Sequence, residues 1–123
     1  MLLVGGKTLA PRCGDTWVYE IRVTRNGQAM SLDGVALTFT AKPDLGDPDA
    51  AAVISRSSGA GIDHLTTVGA ARLLVPATTT GELEPGVPLW WDVQGVDGGG
   101  QPFTPEGLTG RLVPLPQVTR SLS

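Results

Sequence analysis

Alternation of apolar and polar side chains is the feature that most restricts the fold of this chain. In residues 16–25, TWVYEIRVTR, apolar side chains at every second position share one face, and the other face is polar except for Val18. A period of two over eight or more residues is typical of a half-buried β-strand. Residues 35–42, VALTFTAK, repeat the pattern. Each segment therefore predicts a strand with one face in a core.

Glycines and prolines divide the rest of the chain into short segments. The 123 residues include 17 glycines and 10 prolines without a collagen-like period, which favours many turns. Asn26 and Gly27 predict a tight turn because both accept positive φ at little cost. The segment 77–86 has room for one helical turn. Further short strands are predicted at residues 52–57, 71–76, 88–97 and 108–115.

These segments predict the fold class and the core. About seven strands with turns between them, and no amphipathic helix, favour an all-β fold, an immunoglobulin-like antiparallel β-sandwich. We expect residues 14–123 to form a single domain and residues 1–13 to form an N-terminal extension. The predicted core includes Trp17, Tyr19, Ile21, Leu37, Phe39, Trp91, Val93 and Leu112.

Composition excludes several classes of partner. Nine basic residues against twelve acidic ones give a net charge of −3, whereas nucleic-acid binding requires basic clusters. No apolar run approaches the length of a membrane span. The N-terminal segment MLLVGGKTLAP has no basic region and too short an apolar run for a signal peptide. We expect no nucleic-acid or membrane partner, and synthesis and assembly inside a cell.

The residues that could carry chemistry are few. Cys13 is the only cysteine and His64 the only histidine, so these two cannot supply a four-ligand zinc site. No serine lies in a nucleophile motif. Asp44, Asp47 and Asp49 form an acidic loop whose spacing does not match a calcium loop, so turn formation is the preferred interpretation and a weak cation site the alternative. We predict no catalytic centre, no metal site and no cofactor.

The adjacent tryptophans are the main candidate for binding. Because successive side chains on a strand point to opposite faces, Trp91 is predicted in the core with Leu89 and Val93. Trp90 then points outward together with Asp92 and Gln94. Three interpretations of Trp90 remain open: cover by a loop of its own chain, contact with a protein partner, or stacking on a carbohydrate.

The N-terminal extension is the second candidate for a contact with another chain. Its apolar residues belong to no predicted hairpin, and residues 1–13 are therefore a possible docking segment. The predicted interface residues are Leu2, Leu3, Val4, Trp90, Asp92 and Gln94.

The order of the motifs resembles small immunoglobulin-like virion proteins of tailed bacteriophages, such as the N-terminal domain of the upper baseplate protein. In that pattern a Gly-Asp-Thr/Ser opens the first long strand, a turn like Asp-Leu-Thr-Gly-Ala leads into the second, and a Pro-Gly turn precedes an aromatic-x-aromatic-Asp-Val strand. A Gly-x-Leu-x-Val-x-Pro-x-Val-Thr-Arg segment closes the domain. This chain has SLDG at the turn, and Leu89 and Trp91 in place of the usual tyrosine pair. The resemblance covers residues 14–120. The matching residues are Gly14, Asp15, Thr16, Leu32, Asp33, Gly34, Val35, Pro85, Gly86, Trp91, Asp92, Val93, Gly110, Leu112, Pro116, Val118, Thr119 and Arg120.

The resemblance implies a non-enzymatic structural subunit of a bacteriophage or prophage particle. Its position would be the tail, neck, baseplate or fibre base, and its location the virion, assembled in the host bacterial cytoplasm. Its partners would be other virion structural proteins and copies of itself. The alternative function is a carbohydrate-binding module in which Trp90 stacks on a sugar and Asp92 or Gln94 binds hydroxyl groups. A sugar partner is disfavoured because such modules usually expose several aromatic residues on one face.

Overall fold

The computed structural model describes residue 3 and residues 8–44, 52–105 and 107–116. Apart from one helical turn, α1 (Ala77–Thr80), the regular structure in these residues is strand, which confirms the all-β class. The strands are β1 (Trp17–Arg22), β2 (Thr24–Arg25), β3 (Gln28–Ala29), β4 (Ala36–Lys42), β5 (Ile54–Ser58), β6 (Gly61–His64), β7 (Ala70–Val75), β8 (Leu89–Val96), β9 (Pro102–Phe103) and β10 (Thr109–Leu112).

Most strands form one curled sheet with the order β1-β7-β6-β5-β4-β8-β10, and β9 also pairs with β8. The pairs are antiparallel except for β5 and β6, which run parallel over two residue pairs. β2 and β3 form a separate hairpin whose turn has positive φ at Asn26 (54°) and Gly27 (78°). This confirms the turn predicted there. The strand β6 was not predicted, because Ile62 is its only buried apolar residue.

The N-terminal segment contacts both ends of this sheet. At the β10 edge, Leu9 forms a parallel bridge with Leu112, and Arg12 forms one with Leu115. The Leu9 N–H donates to the Arg111 carbonyl at 2.9 Å. At the other end, the Leu3 N–H donates to the Glu20 carbonyl of β1 at 2.8 Å. These described parts of residues 1–13 are therefore paired with their own domain, unlike the extension expected from the sequence. Leu112 and Leu115 lie about a hundred positions from their partners in the chain, whereas Glu20 is much closer to Leu3. Alternation within the segment reveals none of these pairings.

The inner faces of the strands form the hydrophobic core. All eight predicted core residues are buried, with Trp17 and Tyr19 each 4 % exposed and the other six at 0–1 %, so this prediction is confirmed. Trp91 and Phe39 stack at the centre of the buried cluster, with ring centroids 6.0 Å apart. Burial of these large rings contributes much of the free energy of folding.

The helical turn α1 is tied to the start of β1 by one side chain. Thr80 is fully buried, and its hydroxyl donates to the Asp15 carbonyl at 2.6 Å and accepts the Gly14 N–H at 3.1 Å. Both Thr80 bonds satisfy backbone groups that lack a strand partner at this position. The turn thereby positions the loop that leads into β8.

Candidate functional site

Trp90 and Trp91 are adjacent in sequence but lie on opposite faces of β8. Trp91 is 1 % exposed and belongs to the core, whereas Trp90 points outward and is half-buried. This agrees with the orientation predicted from strand alternation. The outer face of β8 therefore carries an aromatic ring that is partly accessible to a partner.

Two cationic residues flank the Trp90 ring. Lys42 of β4 and Arg111 of β10 are the direct cross-strand partners of Trp90 on its two sides, and side chains at paired positions share a face of the sheet. The Arg111 guanidinium carbon lies 5.2 Å from the Trp90 ring centroid, which is within range of a cation–π interaction. The outer face thus carries a positively charged zone around an aromatic ring.

A row of polar side chains continues from Trp90 along β8. Asp92 accepts hydrogen bonds from the Thr40 hydroxyl at 2.7 Å and from the Gln94 side-chain amide at 3.2 Å. The Gln94 side-chain oxygen in turn accepts from the Thr104 hydroxyl at 3.2 Å. The structure therefore brings together the three outward residues predicted from β8. Both Asp92 oxygens accept hydrogen bonds within the row.

We call this surface the Trp90 face, and it is nearly flat. Its residues are Thr40, Lys42, Trp90, Asp92, Gln94 and Arg111. A depression between Lys42, Trp90 and Asp92 has a volume of about 40 Å³. Pockets for small ligands are usually about 300 Å³ or larger. A flat surface with a central aromatic ring and charged neighbours suits a macromolecular contact better than a small ligand.

An apolar groove with an acidic rim lies where β4 ends and β8 begins, and we call it the end groove. It has a volume of about 380 Å³, and Glu82 and Glu84 on its rim are exposed. Pro43 follows Lys42 and Leu89 precedes Trp90 in the chain, but Leu89 lies on the inner face of β8. The remaining lining residues come from α1, from the loop after it and from the ends of strands: Pro43, Val53, Thr79, Leu83, Val87, Leu89 and Pro114.

At the N-terminus, the structure describes one of the three predicted docking residues, Leu3, and it is buried, unlike Trp90. Leu3 is 3 % exposed and belongs to the core cluster of its own chain, so it is not available to a partner as expected. Burial in the core explains the apolar side chain of Leu3. Leu2 and Val4 lie outside the described residues, as do Asp47 and Asp49 of the acidic loop.

The two residues considered for chemistry lie in separate places. Cys13 is buried, its thiol donates weakly to the Leu83 carbonyl at 3.7 Å, and burial raises the pKa of the Cys13 thiol. His64 Nε2 lies 3.3 Å from the Ser58 hydroxyl oxygen. The sequence did not reveal this pair, because it depends on the β5–β6 pairing. Ser58 also accepts the Leu37 N–H at 2.9 Å, which gives it a structural role.

Sequence reasoning missed the cations beside Trp90 and the end groove. Alternation alone places Lys42 and Arg111 on the outer faces of their strands, but it does not give the register that brings both to Trp90. The end groove is formed by loops whose paths no periodic pattern predicts. Among the residues that the structure describes, no three of the types His, Cys, Asp or Glu are placed to hold a metal ion. In the same part of the chain, no helix has the length and apolarity needed to cross a membrane.

Comparison with models of protein families and with curated protein sequences finds no match for this chain.

Proposed function

We propose that this chain is a non-enzymatic structural subunit of a tailed bacteriophage or prophage particle, in the tail, neck, baseplate or fibre base. It is assembled in the host cytoplasm and acts by docking on neighbouring virion proteins. The sequence motifs described above suggest the virion setting. The observation that carries the docking role is Trp90, a half-buried outward ring at the centre of a flat face. Such rings, in contact with a partner, dominate the energy of many protein interfaces.

The finer fold that we propose is an immunoglobulin-like sandwich, and the strand order supports it. β1, β7 and β6 are successive neighbours, as are β5, β4, β8 and β10. These groups correspond to strands B-E-D and C′-C-F-G of the variable-type immunoglobulin arrangement. Only two residue pairs join β5 to β6, so the curled sheet divides naturally into two layers at this point.

The structure favours a protein partner over the alternative, a carbohydrate. Sugar stacking needs an open aromatic face, but Arg111 already lies over the Trp90 ring. Hydroxyl recognition needs free polar groups, but Asp92 and Gln94 are hydrogen-bonded to Thr40, Thr104 and each other. A protein partner can instead contact the ring edge and the cations together.

The test is assembly of Trp90→Ala beside its thermal unfolding. The chain is expressed together with the genes that flank it, and its incorporation into purified particles is measured by mass spectrometry and electron microscopy. We expect Trp90→Ala to fold and to lose about 2 kcal/mol of docking free energy, about thirtyfold in affinity. Val18→Ala serves as the control, because Val18 is 45 % exposed on β1 in the other group of strands.

Three outcomes would contradict the proposal. Absence of the wild-type chain from particles would remove the virion role. Normal incorporation of Trp90→Ala with a lowered melting temperature would show that Trp90 only covers its own domain. Binding of soluble oligosaccharides that depends on Trp90 would favour the carbohydrate module.

A further inference from the structure

The end groove exposes apolar side chains, and its lining includes no residue of the Trp90 face. Val53 is 42 % exposed and Val87 is 38 % exposed, and both line the groove. Exposed apolar surface that is rimmed by polar residues marks a contact site in many proteins. The volume of about 380 Å³ lies in the range of sites that bind ligands.

The rim of the end groove carries negative charge that the described part of the chain does not compensate. Glu82 and Glu84 are exposed. The ion pairs found among the described residues lie on β1, β6 and β7 and include neither glutamate. A ligand that fits this groove therefore combines apolar side chains with a positive charge.

Two segments of the sequence lead away from lining residues of the groove and lie outside the described residues. Residues 45–51 connect two parts of the lining, and residues 117–123 begin three positions after a third part, Pro114. Residues 45–51 contain two aspartates, whose charge has the same sign as the rim. Residues 117–123 contain one charged residue, Arg120. Charge complementarity therefore selects residues 117–123 as the occupant.

The side chains of residues 117–123, QVTRSLS, suit the groove in order as well as in charge. Small or uncharged polar residues alternate with Val118, Arg120 and Leu122. In an extended chain these three side chains share one face. That face is apolar, basic and apolar in turn, which complements an apolar lining with an acidic rim.

The described chain brings this segment to the groove. Pro114 lines the groove, and its carbonyl accepts the Gly86 N–H at 2.8 Å. Two residues later, the Pro116 carbonyl accepts from the Arg12 guanidinium at 3.0 Å. The seven residues that follow reach up to about 23 Å when extended. So short a tether gives an effective concentration in the millimolar range, which favours the segment of the same chain over that of another copy.

We propose that residues 117–123 bind in the end groove of their own chain. The two apolar side chains of the segment cover the exposed valines, and Arg120 pairs with the two glutamates of the rim. The end groove is thus a site for an extended peptide with a basic residue between two apolar ones. This inference goes beyond the proposed function and does not rest on it, because the groove and the Trp90 face share no residue.

The test is tryptic cleavage of the folded chain after Arg120, followed by mass spectrometry. Cleavage of a docked segment reports how often the segment is released, and a synthetic peptide of residues 113–123 gives the rate without docking. We expect the wild type to be cleaved at least about tenfold more slowly than the peptide. Glu82→Gln with Glu84→Gln should be cleaved at least about threefold faster than the wild type, because Arg120 loses its partners.

The matched control is Asp33→Asn with Asp63→Asn, which neutralises two exposed carboxylates outside the groove. It should be cleaved like the wild type, and thermal unfolding should show that both double variants are folded. A wild type cleaved as fast as the peptide would overturn the inference, as would equal acceleration in the two double variants.

A second measurement tests the position of the segment directly. Nuclear Overhauser effects between methyl groups should join Val118 or Leu122 to Val53 or Val87, and their absence would contradict docking in this groove. Protection from trypsin that increases with protein concentration would place the segment in the groove of another copy and overturn the assignment to the same chain. None of these outcomes affects the proposed function, which is tested separately by incorporation of Trp90→Ala into particles.

Discussion

The two faces of β8 show how one strand serves both folding and binding. On the inner face, Leu89, Trp91 and Val93 are at most 4 % exposed. On the outer face, Trp90 and Asp92 are half-buried and Gln94 is exposed. Alternation alone separates two tryptophans that follow one another in the chain. The inner ring fills volume in the core, and the outer ring is held by a cation and hydrogen-bonded neighbours.

Substitutions on the inner face should affect folding, and substitutions on the outer face should affect association. A close-packed inner face leaves no room for a change in volume. The outer face is held by a cation–π contact and hydrogen bonds that water can replace in part. We therefore expect the loss of stability to decrease from inner-face to outer-face substitutions, and the predictions below test this order.

The largest loss of stability is expected for Trp91→Ala. The substitution removes a ring that is 1 % exposed and stacked on Phe39, and it opens a large cavity. The free energy of unfolding should fall by about 3–5 kcal/mol, as for other aromatic truncations in cores. Urea unfolding monitored by circular dichroism measures the loss. Trp91→Phe is the control and should recover more than half of it; a loss below about 1 kcal/mol for Trp91→Ala would show that the inner face is not close-packed.

The next effect is expected for Gly95→Ala, also on the inner face. A Cβ at Gly95 would lie 2.4 Å from the nearest atom of the Phe103 ring, so the ring of β9 must move. Overpacking of this kind costs about 1–3 kcal/mol. In a Phe103→Leu background the same glycine substitution should cost less, and the difference is measured by a double-mutant cycle. Equal costs in both backgrounds would contradict contact with the ring as the cause.

The residues of β8 also show what the sequence could predict. The period of two gives the face of each side chain without any knowledge of its neighbours, and this is why the core residues and the outward position of Trp90 were predicted correctly. The turn at Asn26 and Gly27 was predictable for a similar reason, since positive φ at both residues depends on their own chemistry.

Features that depend on pairing between distant segments were not predictable. The contact between Arg111 and Trp90 requires the register of β10 on β8. The burial of Leu3 requires a bond to Glu20 of β1, and the contact between Ser58 and His64 requires the parallel pairing of β5 and β6. Alternation contains no information on register between strands, because every even shift preserves the same faces.

A smaller loss of stability is expected for Thr40→Val on the outer face. The substitution removes the hydroxyl that donates to Asp92 at 2.7 Å and keeps the shape of the side chain. Thr40 is only 9 % exposed, but Asp92 is half-buried and regains water, so the free energy of unfolding should fall by about 1.5 kcal/mol. Asp92→Asn keeps an acceptor for the hydroxyl and should cost less in the same urea measurement. The reverse order would mean that the carboxylate charge, rather than the hydrogen bond, stabilises the row.

The smallest effect is expected for Arg111→Gln, which removes the cation that lies 5.2 Å from the Trp90 ring centroid. An exposed cation–π contact contributes about 0.5–1 kcal/mol, and Arg111 is exposed, so the free energy of unfolding should change by no more than this. Arg111→Lys keeps the charge and should retain part of the contact. Comparison of the emission spectra of the wild type and Trp90→Phe identifies the fluorescence of Trp90. In Arg111→Gln this emission should shift to longer wavelength, because water reaches the ring. A loss of about 3 kcal/mol, in the range of core truncations, would show that the outer ring is packed like the inner one. In that case the two faces of β8 would not differ as described, and Trp90 would be a core residue rather than a docking residue.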